Sequence, residues 1–217
     1  MKWGEVKLIA LQTMFSNEGA NINIDDSNQD YVHAMPEKAN EAMHQLAMVA
    51  RPLLKRFSLR LTYGAEEHET ETELTLPTAE GRYKLNLSHY MPRLRAIDRI
   101  MLESGGVYDE AENWSLEGDD VLVLPGNLAG VYTIWYAAYP QKITKDTSDD
   151  ETIDLPQEAA ALIPLYIAGE LYKEDEIAMA TMFRNEFEDG MEKIRRAYQE
   201  SGSGYRNGYV RNTTGWW

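Results

Sequence analysis

Several groups of side chains in this chain are of types that do chemistry. Asp25-Asp26-Ser27-Asn28-Gln29-Asp30 offers the oxygen donors of a calcium loop. It lacks the spacing, the central Gly and the terminal Glu of an EF-hand, and reads instead as a helix-capping turn. His68 stands in the acidic run Glu66–Glu73, where Glu66 or Glu71 would complete a metal pair. One imidazole with flexible carboxylates is a weak metal signal. His33 and His44 lie eleven residues apart without a third ligand in register, and read as structural histidines. Asp119 and Asp120 form a carboxylate pair, but pairs are common in so acidic a chain. No Ser has a Gly-x-Ser-x-Gly setting and Cys is absent, so neither a nucleophile elbow nor thiolate chemistry is available. These residues assign no catalytic site, cofactor or metal.

Aromatic side chains are a further candidate set: Tyr83, Tyr90, Tyr108, Trp114, Tyr132, Trp135, Tyr136 and Tyr139. Exposed together on one sheet face they would make a sugar-binding platform. Alternating strands also use aromatics for core and cross-strand pairs, and that structural use is the expectation.

Charge limits the partners. The chain carries 36 acidic and 21 basic residues among 217, a net −15. A nucleic-acid grip needs clustered Lys and Arg to displace counterions, so retention of DNA is not expected. An acidic wall that repels passing DNA remains compatible, as does simple solubility. No apolar run reaches the roughly 18 residues of a membrane span. Glu5 and Lys7 interrupt any signal-peptide core, which gives cytoplasmic synthesis as the expectation.

The elements follow from periodicity. Residues 2–15 predict a short helix buried on more than one side, with Trp3, Val6, Ile9, Ala10, Thr13 and Met14 on one and Leu8, Leu11 and Phe15 on another. Pro36 is expected to open a helix reaching about Ala50 and ended by Pro52. From Phe57 the period becomes two, and further strands are expected around Leu74–Leu76, Tyr83–Leu87, Arg95–Leu102, Val121–Leu124 and Val131–Tyr139.

Gln141–Glu151 reads as a polar connector. Asp154 then caps a helix with Pro156 in its first turn, and Ala159, Leu162, Ile163, Tyr166, Ile167 and Leu171 form one face. Pro164 predicts a kink within it. After Lys173-Glu174-Asp175-Glu176, a second helix carries Ile177, Ala180, Phe183, Phe187, Met191, Ile194 and Tyr198 along one side, making an αα-hairpin.

Beyond Glu200 the glycines at 202, 204, 208 and 215 argue against helix, while Tyr205, Tyr209, Trp216 and Trp217 are too apolar for a solvated tail. With Arg206 and Arg211 they suit an arm that orders on a partner, the alternative being a disordered tail. The expected fold is α+β: a helical bundle with a long αα-hairpin (1–56 and 144–200), a β-rich insertion resembling a small sandwich or barrel (57–143), and an extended C-terminal arm (201–217).

Two stretches carry a family resemblance. Met1-Lys2-Trp3-Gly4-Glu5-Val6-Lys7-Leu8-Ile9-Ala10-Leu11-Gln12 looks like the opening of head-to-tail connector (adaptor) proteins of tailed bacteriophages. The stretch Tyr139-Pro140, Ile143-Thr144 and Ile153-Asp154-Leu155-Pro156, continuing to Leu171-Tyr172-Lys173-Glu174-Asp175, resembles that family's Tyr-Pro strand end, Leu-Pro-headed helix and acidic turn. The resemblance implies a structural virion protein of the neck, assembled in the host cytoplasm, and not an enzyme. It implies a homo-oligomeric ring, commonly a dodecamer, that docks on the portal protein and meets the next tail or neck component. DNA would pass through its channel without specific binding. Tyr205, Arg206, Tyr209, Arg211, Trp216 and Trp217 would then contact the portal or a neighbouring subunit. A carbohydrate- or receptor-binding β module is the alternative; it needs exposed rings on one sheet face and leaves the arm unexplained. A hydrolase is a further rival without a supporting motif.

Overall fold

The computed structural model describes residues 1–15, 24, 27–63, 68–69, 73–76, 82–118, 120–125 and 129–202. In chain order these form α1 (Trp3–Phe15), α2 (Gln29–Val49), β1 (Leu53–Tyr63), β2 (His68–Glu69), β3 (Glu73–Leu76), β4 (Arg82–Asn86) and α3 (Leu87–Tyr90). There follow β5 (Leu94–Ser104), β6 (Val107–Glu110), β7 (Ser115–Glu117), β8 (Val121–Pro125) and β9 (Gly130–Ala138). The chain closes with α4 (Gln157–Ala160), α5 (Ile163–Leu171) and α6 (Ile177–Gly202). Helix and sheet are mixed, and the chain divides into two compact units. Leu53–Tyr139 is one; the segments before and after it make the other.

In the helical unit, α5 packs against α1, α2 and α6. Its sequence explains this central place, since Ile163, Tyr166, Ile167, Ala168 and Gly169 leave almost no polar face. The core joins Trp3, Val6, Ala10 and Leu11 of α1 to Met35, Ala39, Met43 and Leu46 of α2, and to Ile163, Ile167 and Phe187. A Cβ on Gly169 would lie 3.2 Å from the Ala180 carbonyl oxygen, and one on Gly190 would lie 2.6 Å from the Leu162 side chain. Leu162 thus meets the middle of α6 and Gly169 its beginning, so α5 and α6 run antiparallel.

Local expectations need correction here. α1 is buried along one side only, and Leu8, Ile9 and Phe15 are exposed, because no element among the described residues covers its outer arc. α2 begins at Gln29, with Pro36 inside it and buried; one missing amide donor is tolerated where the surrounding packing holds the helix. The single kinked helix expected from Asp154 is instead α4 and α5, capped by Pro156 and separated at Ala161–Leu162. Pro164 has no N–H for the preceding turn, so it starts a helix and does not bend one. On α6, Ala180, Phe183 and Phe187 are buried as the spacing requires, but Ile177 and Tyr198 are exposed. Gly202 is still helical, so α6 runs past the expected end at Glu200.

The connector is less passive than its composition suggests. Ile143 and Ile153 enter the helical core. Asn40 clasps the chain at Ile143 from both sides: its Nδ2 donates to the Ile143 carbonyl at 2.7 Å, and the Ile143 N–H donates to its Oδ1 at 2.9 Å. One partly buried amide side chain thus satisfies both backbone groups of a residue outside regular structure.

The sheet unit contains a six-stranded sheet in the order β2-β3-β1-β9-β5-β6 and a three-stranded sheet β4-β8-β7. Its long strands pair antiparallel, and β1 with β3 pairs parallel. Alternation turns Leu59 and Leu61 of β1 and Tyr132 and Ile134 of β9 inward, where they meet Leu85, Leu122 and Leu124 of the smaller sheet. The two sheets share one core but remain open. The barrel-like expectation is therefore wrong: the described strands do not close on themselves.

Two tyrosines tie the fold to alkaline pH. Burial pushes the Tyr132 phenol up to about 12, and a 2.6 Å hydrogen bond to Asp175 does the same for Tyr31. Both raised values mean that the fold favours the neutral phenol. Their contribution to stability is complete below about pH 10, the unfolded value, and is lost as pH rises towards 12. Tyrosinate absorbance during alkaline titration should show these two rings ionising last, and Tyr31→Phe should remove one late step.

Candidate assembly surfaces

The described residues bring none of the sequence's metal candidates together. No group of three His, Asp or Glu side chains among them is placed to hold an ion. His33 and His44 are exposed on one face of α2, roughly 16 Å apart along its axis, too far to share a ligand. Asp25, Asp26 and Asp119 lie outside the described residues, as do Glu66 and Glu71. Asn28, from the acidic run, is buried just before α2 and its carbonyl accepts from Val32. Chelation with EDTA should leave the melting temperature unchanged; a fall restored by calcium or zinc would overturn this reading of His68 and Asp25–Asp30.

The aromatic set is largely consumed by the sheet core. Tyr132 is fully buried, and Tyr83, Tyr90, Trp114 and Tyr136 pack against the same cluster. Tyr90 also lies 5.1 Å from Phe57. Trp135 faces the other side of the sheet, with the Arg99 guanidinium 5.4 Å over its ring and Arg56 opposite it in register. Tyr108 is the ring most exposed, on edge strand β6. These rings do not form one exposed platform.

The helical unit is cemented by polar contacts that periodicity does not reveal. Tyr166 donates to Glu41 at 3.1 Å and accepts from Gln45 at 3.2 Å. Arg184 stacks 4.8 Å from the Tyr166 ring and pairs with Glu170 and Glu188. Lys38 beside Glu41 holds that carboxyl below its usual range. A shallow groove of about 610 Å³ opens here, lined by Glu37, Glu41, His44, Gln45, Lys142 and Tyr166 among others. Its residues come from α2, the connector and α5.

The two resemblance-bearing stretches meet in space. Trp3 and Gly4 N–H groups at the start of α1 donate to the Glu151 and Asp149 carbonyls at 2.8 and 2.9 Å. Ile153 N–H donates to the Met1 carbonyl at 3.0 Å, and Lys2 pairs with Asp150 at 2.7 Å. The connector thus supplies acceptors for helix donors that have none within α1, and places carboxylates at its positive end. Gly4 suits this close approach, because a Cβ there would lie 3.0 Å from that of Asp149.

The SU10 adaptor protein family matches residues 7–211. The chain belongs to the SU10 adaptor protein family. That is a phage head-tail adaptor family, so the resemblance at the two ends extends across both units. No protein with a curated description matches the chain. Membership makes this a phage structural adaptor, of a kind that works with other head and tail components. No helix among the described residues is long and apolar enough to cross a membrane. Tyr205, Arg206, Tyr209, Arg211, Trp216 and Trp217 lie outside the described residues.

Proposed function

We propose that this SU10-family adaptor is a ring-forming head-to-tail connector of the virion neck, with twelve copies as the expected ring. It docks on the portal protein, extends the DNA channel and presents the attachment surface for the next tail component. The family match over residues 7–211 carries this reading. The net charge of −15 supports a channel that passes DNA without gripping it. In this arrangement the α5–α6 hairpin and its neighbours form the ring body, and the sheet unit is the insertion. Residues 203–217 form the arm, with Tyr205, Tyr209, Trp216 and Trp217 as anchors and Arg206 and Arg211 pairing with acidic groups on the portal or a neighbour.

Negative-stain images of the purified protein, alone and with portal-bearing heads, test the reading. Rings with a central channel, seated under the portal, are expected. Discrete monomers that never join heads would overturn it. Deleting residues 203–217 should leave helicity and melting temperature nearly intact and abolish attachment to heads. Normal attachment by the truncated protein would remove the arm from the proposal.

A further inference from the structure

The two ends of α6 differ in charge, and both carry apolar side chains that are exposed among the described residues. At its start stands the turn Lys173-Glu174-Asp175-Glu176, exposed throughout, followed by Ile177, which is 74% exposed. Phe15, Tyr31 and Tyr172 gather beside this turn, with Phe15 5.2 Å from Tyr31 and 6.0 Å from Tyr172. Phe15 is itself exposed. Tyr31 is bonded to Asp175, so the turn and the aromatic group are one surface: apolar, with an acidic rim.

The far end is different. α6 has 26 residues and α5 has nine, and Leu162, just before α5, already lies against Gly190. Residues 195–200 are all exposed. The apolar stripe continues through Met191 and Ile194, both partly buried, to Ala197 and Tyr198. Lys193, Arg195 and Arg196 flank it, three cations against the two carboxylates Glu192 and Glu200, and both arginines pair with Glu192. Arg196, and then Arg195, hold the Glu192 carboxyl below its usual range.

We propose that these two ends of α6 are the two halves of one subunit contact, the acidic-rimmed apolar turn of one copy seating the basic apolar overhang of the next. The occupant is a second copy because this chain carries both complements, roughly 30 Å apart on one rigid helix. A contact between different patches on identical chains is head-to-tail, and it closes into a ring when the rotation per subunit allows. The inference rests on the ring reading above and names the surface that makes the ring.

The chain has no cysteine, so two can be introduced cleanly. Ile177→Cys with Ala197→Cys in one chain, treated with a short bis-maleimide, should give a covalent ladder up to ring size. Each single variant alone should give no cross-linked species, and a mixture of the two should stop at dimers. A ladder of dimers from Ile177→Cys alone would mean a two-fold contact and overturn the proposal. Rings in micrographs without a ladder overturn this assignment and leave the ring intact; neither rings nor ladder removes both.

Charge reversal gives an independent arm. E174K/E176K and K193E/R195E/R196E should each raise the concentration needed for assembly at least about tenfold, with unchanged helicity. Mixing the two should restore assembly, because each then meets its opposite. Failure of the mixture to recover, with both variants folded, counts against the proposal.

Discussion

Phe187→Ala should lower the stability of the helical unit by about 3–5 kcal/mol, the range for removing a large aromatic ring from a core. Phe187 is fully buried on α6. Its ring sits edge-on to Tyr166 at 5.0 Å and under Arg184 at 5.9 Å, so truncation empties space beside the hydrogen-bonded Tyr166 as well. That neighbour cannot slide into the void without giving up its contacts with Glu41 and Gln45. Urea denaturation followed by helical circular dichroism measures the loss. Ile167→Ala, equally buried on α5, should cost about 2–5 kcal/mol by the same mechanism. Changes within error at both positions would mean that α5 and α6 do not pack through these faces.

Gly130→Ala should destabilise the sheet unit by about 3 kcal/mol, from overpacking at a site where the obstacle is main chain. An added Cβ would lie 2.3 Å from the Glu103 carbonyl oxygen and 2.9 Å from Leu102 Cδ1. Gly130 also holds φ at 155°, a conformation that side chains disfavour. Relief by moving β5 is obstructed: Ser104 Oγ donates to the Ala129 carbonyl at 2.7 Å, holding this corner to its neighbour. The helical and sheet cores share no residue, so this variant should shift a different part of the unfolding curve from Phe187→Ala. Near-ultraviolet signals of Trp114 and Trp135 against those of Trp3 would separate the two. Coincident shifts for both variants would instead show a single cooperative transition.

Which features were legible in the sequence depended on whether the cause was local. Alternation at Leu59, Leu61, Tyr132 and Ile134 is set by the pleat itself, and those residues lie where period two puts them. The apolar side of α6 at Ala180, Phe183 and Phe187 was equally readable. The burial of Ile143 and Ile153 was not, because isolated apolar residues in a polar stretch have no period, and the Asn40 clasp that seats one of them lies about a hundred residues away. Pro36 misled because proline is read as punctuation, whereas α2 is held from outside by its buried Met35, Ala39 and Met43. Strand partners were also hidden: the parallel β1–β3 pair and the division into two sheets depend on contacts that no local window contains. Of the candidate assembly surfaces, the acidic turn was visible in composition. The overhang was not, since it exists only because α5 stops short.

The pairing of β1 with β9 has a consequence for how such a chain is inherited. Leu53 and Ala138, next to the two junctions of the sheet unit, are direct partners, and the pairing continues to Leu61 opposite Gly130. Closing a flexible loop of this size would cost roughly 4 kcal/mol, but a loop that zips its own ends together spares its host that burden. The helical host therefore receives a prefolded staple of near-zero span, with Pro52 and Pro140 stiffening its two legs. Such a cassette can grow, shrink or be exchanged between lineages while the helices around it keep their register. A gene shuffled at these two prolines would inherit a new sheet unit without having to reinvent the helical one.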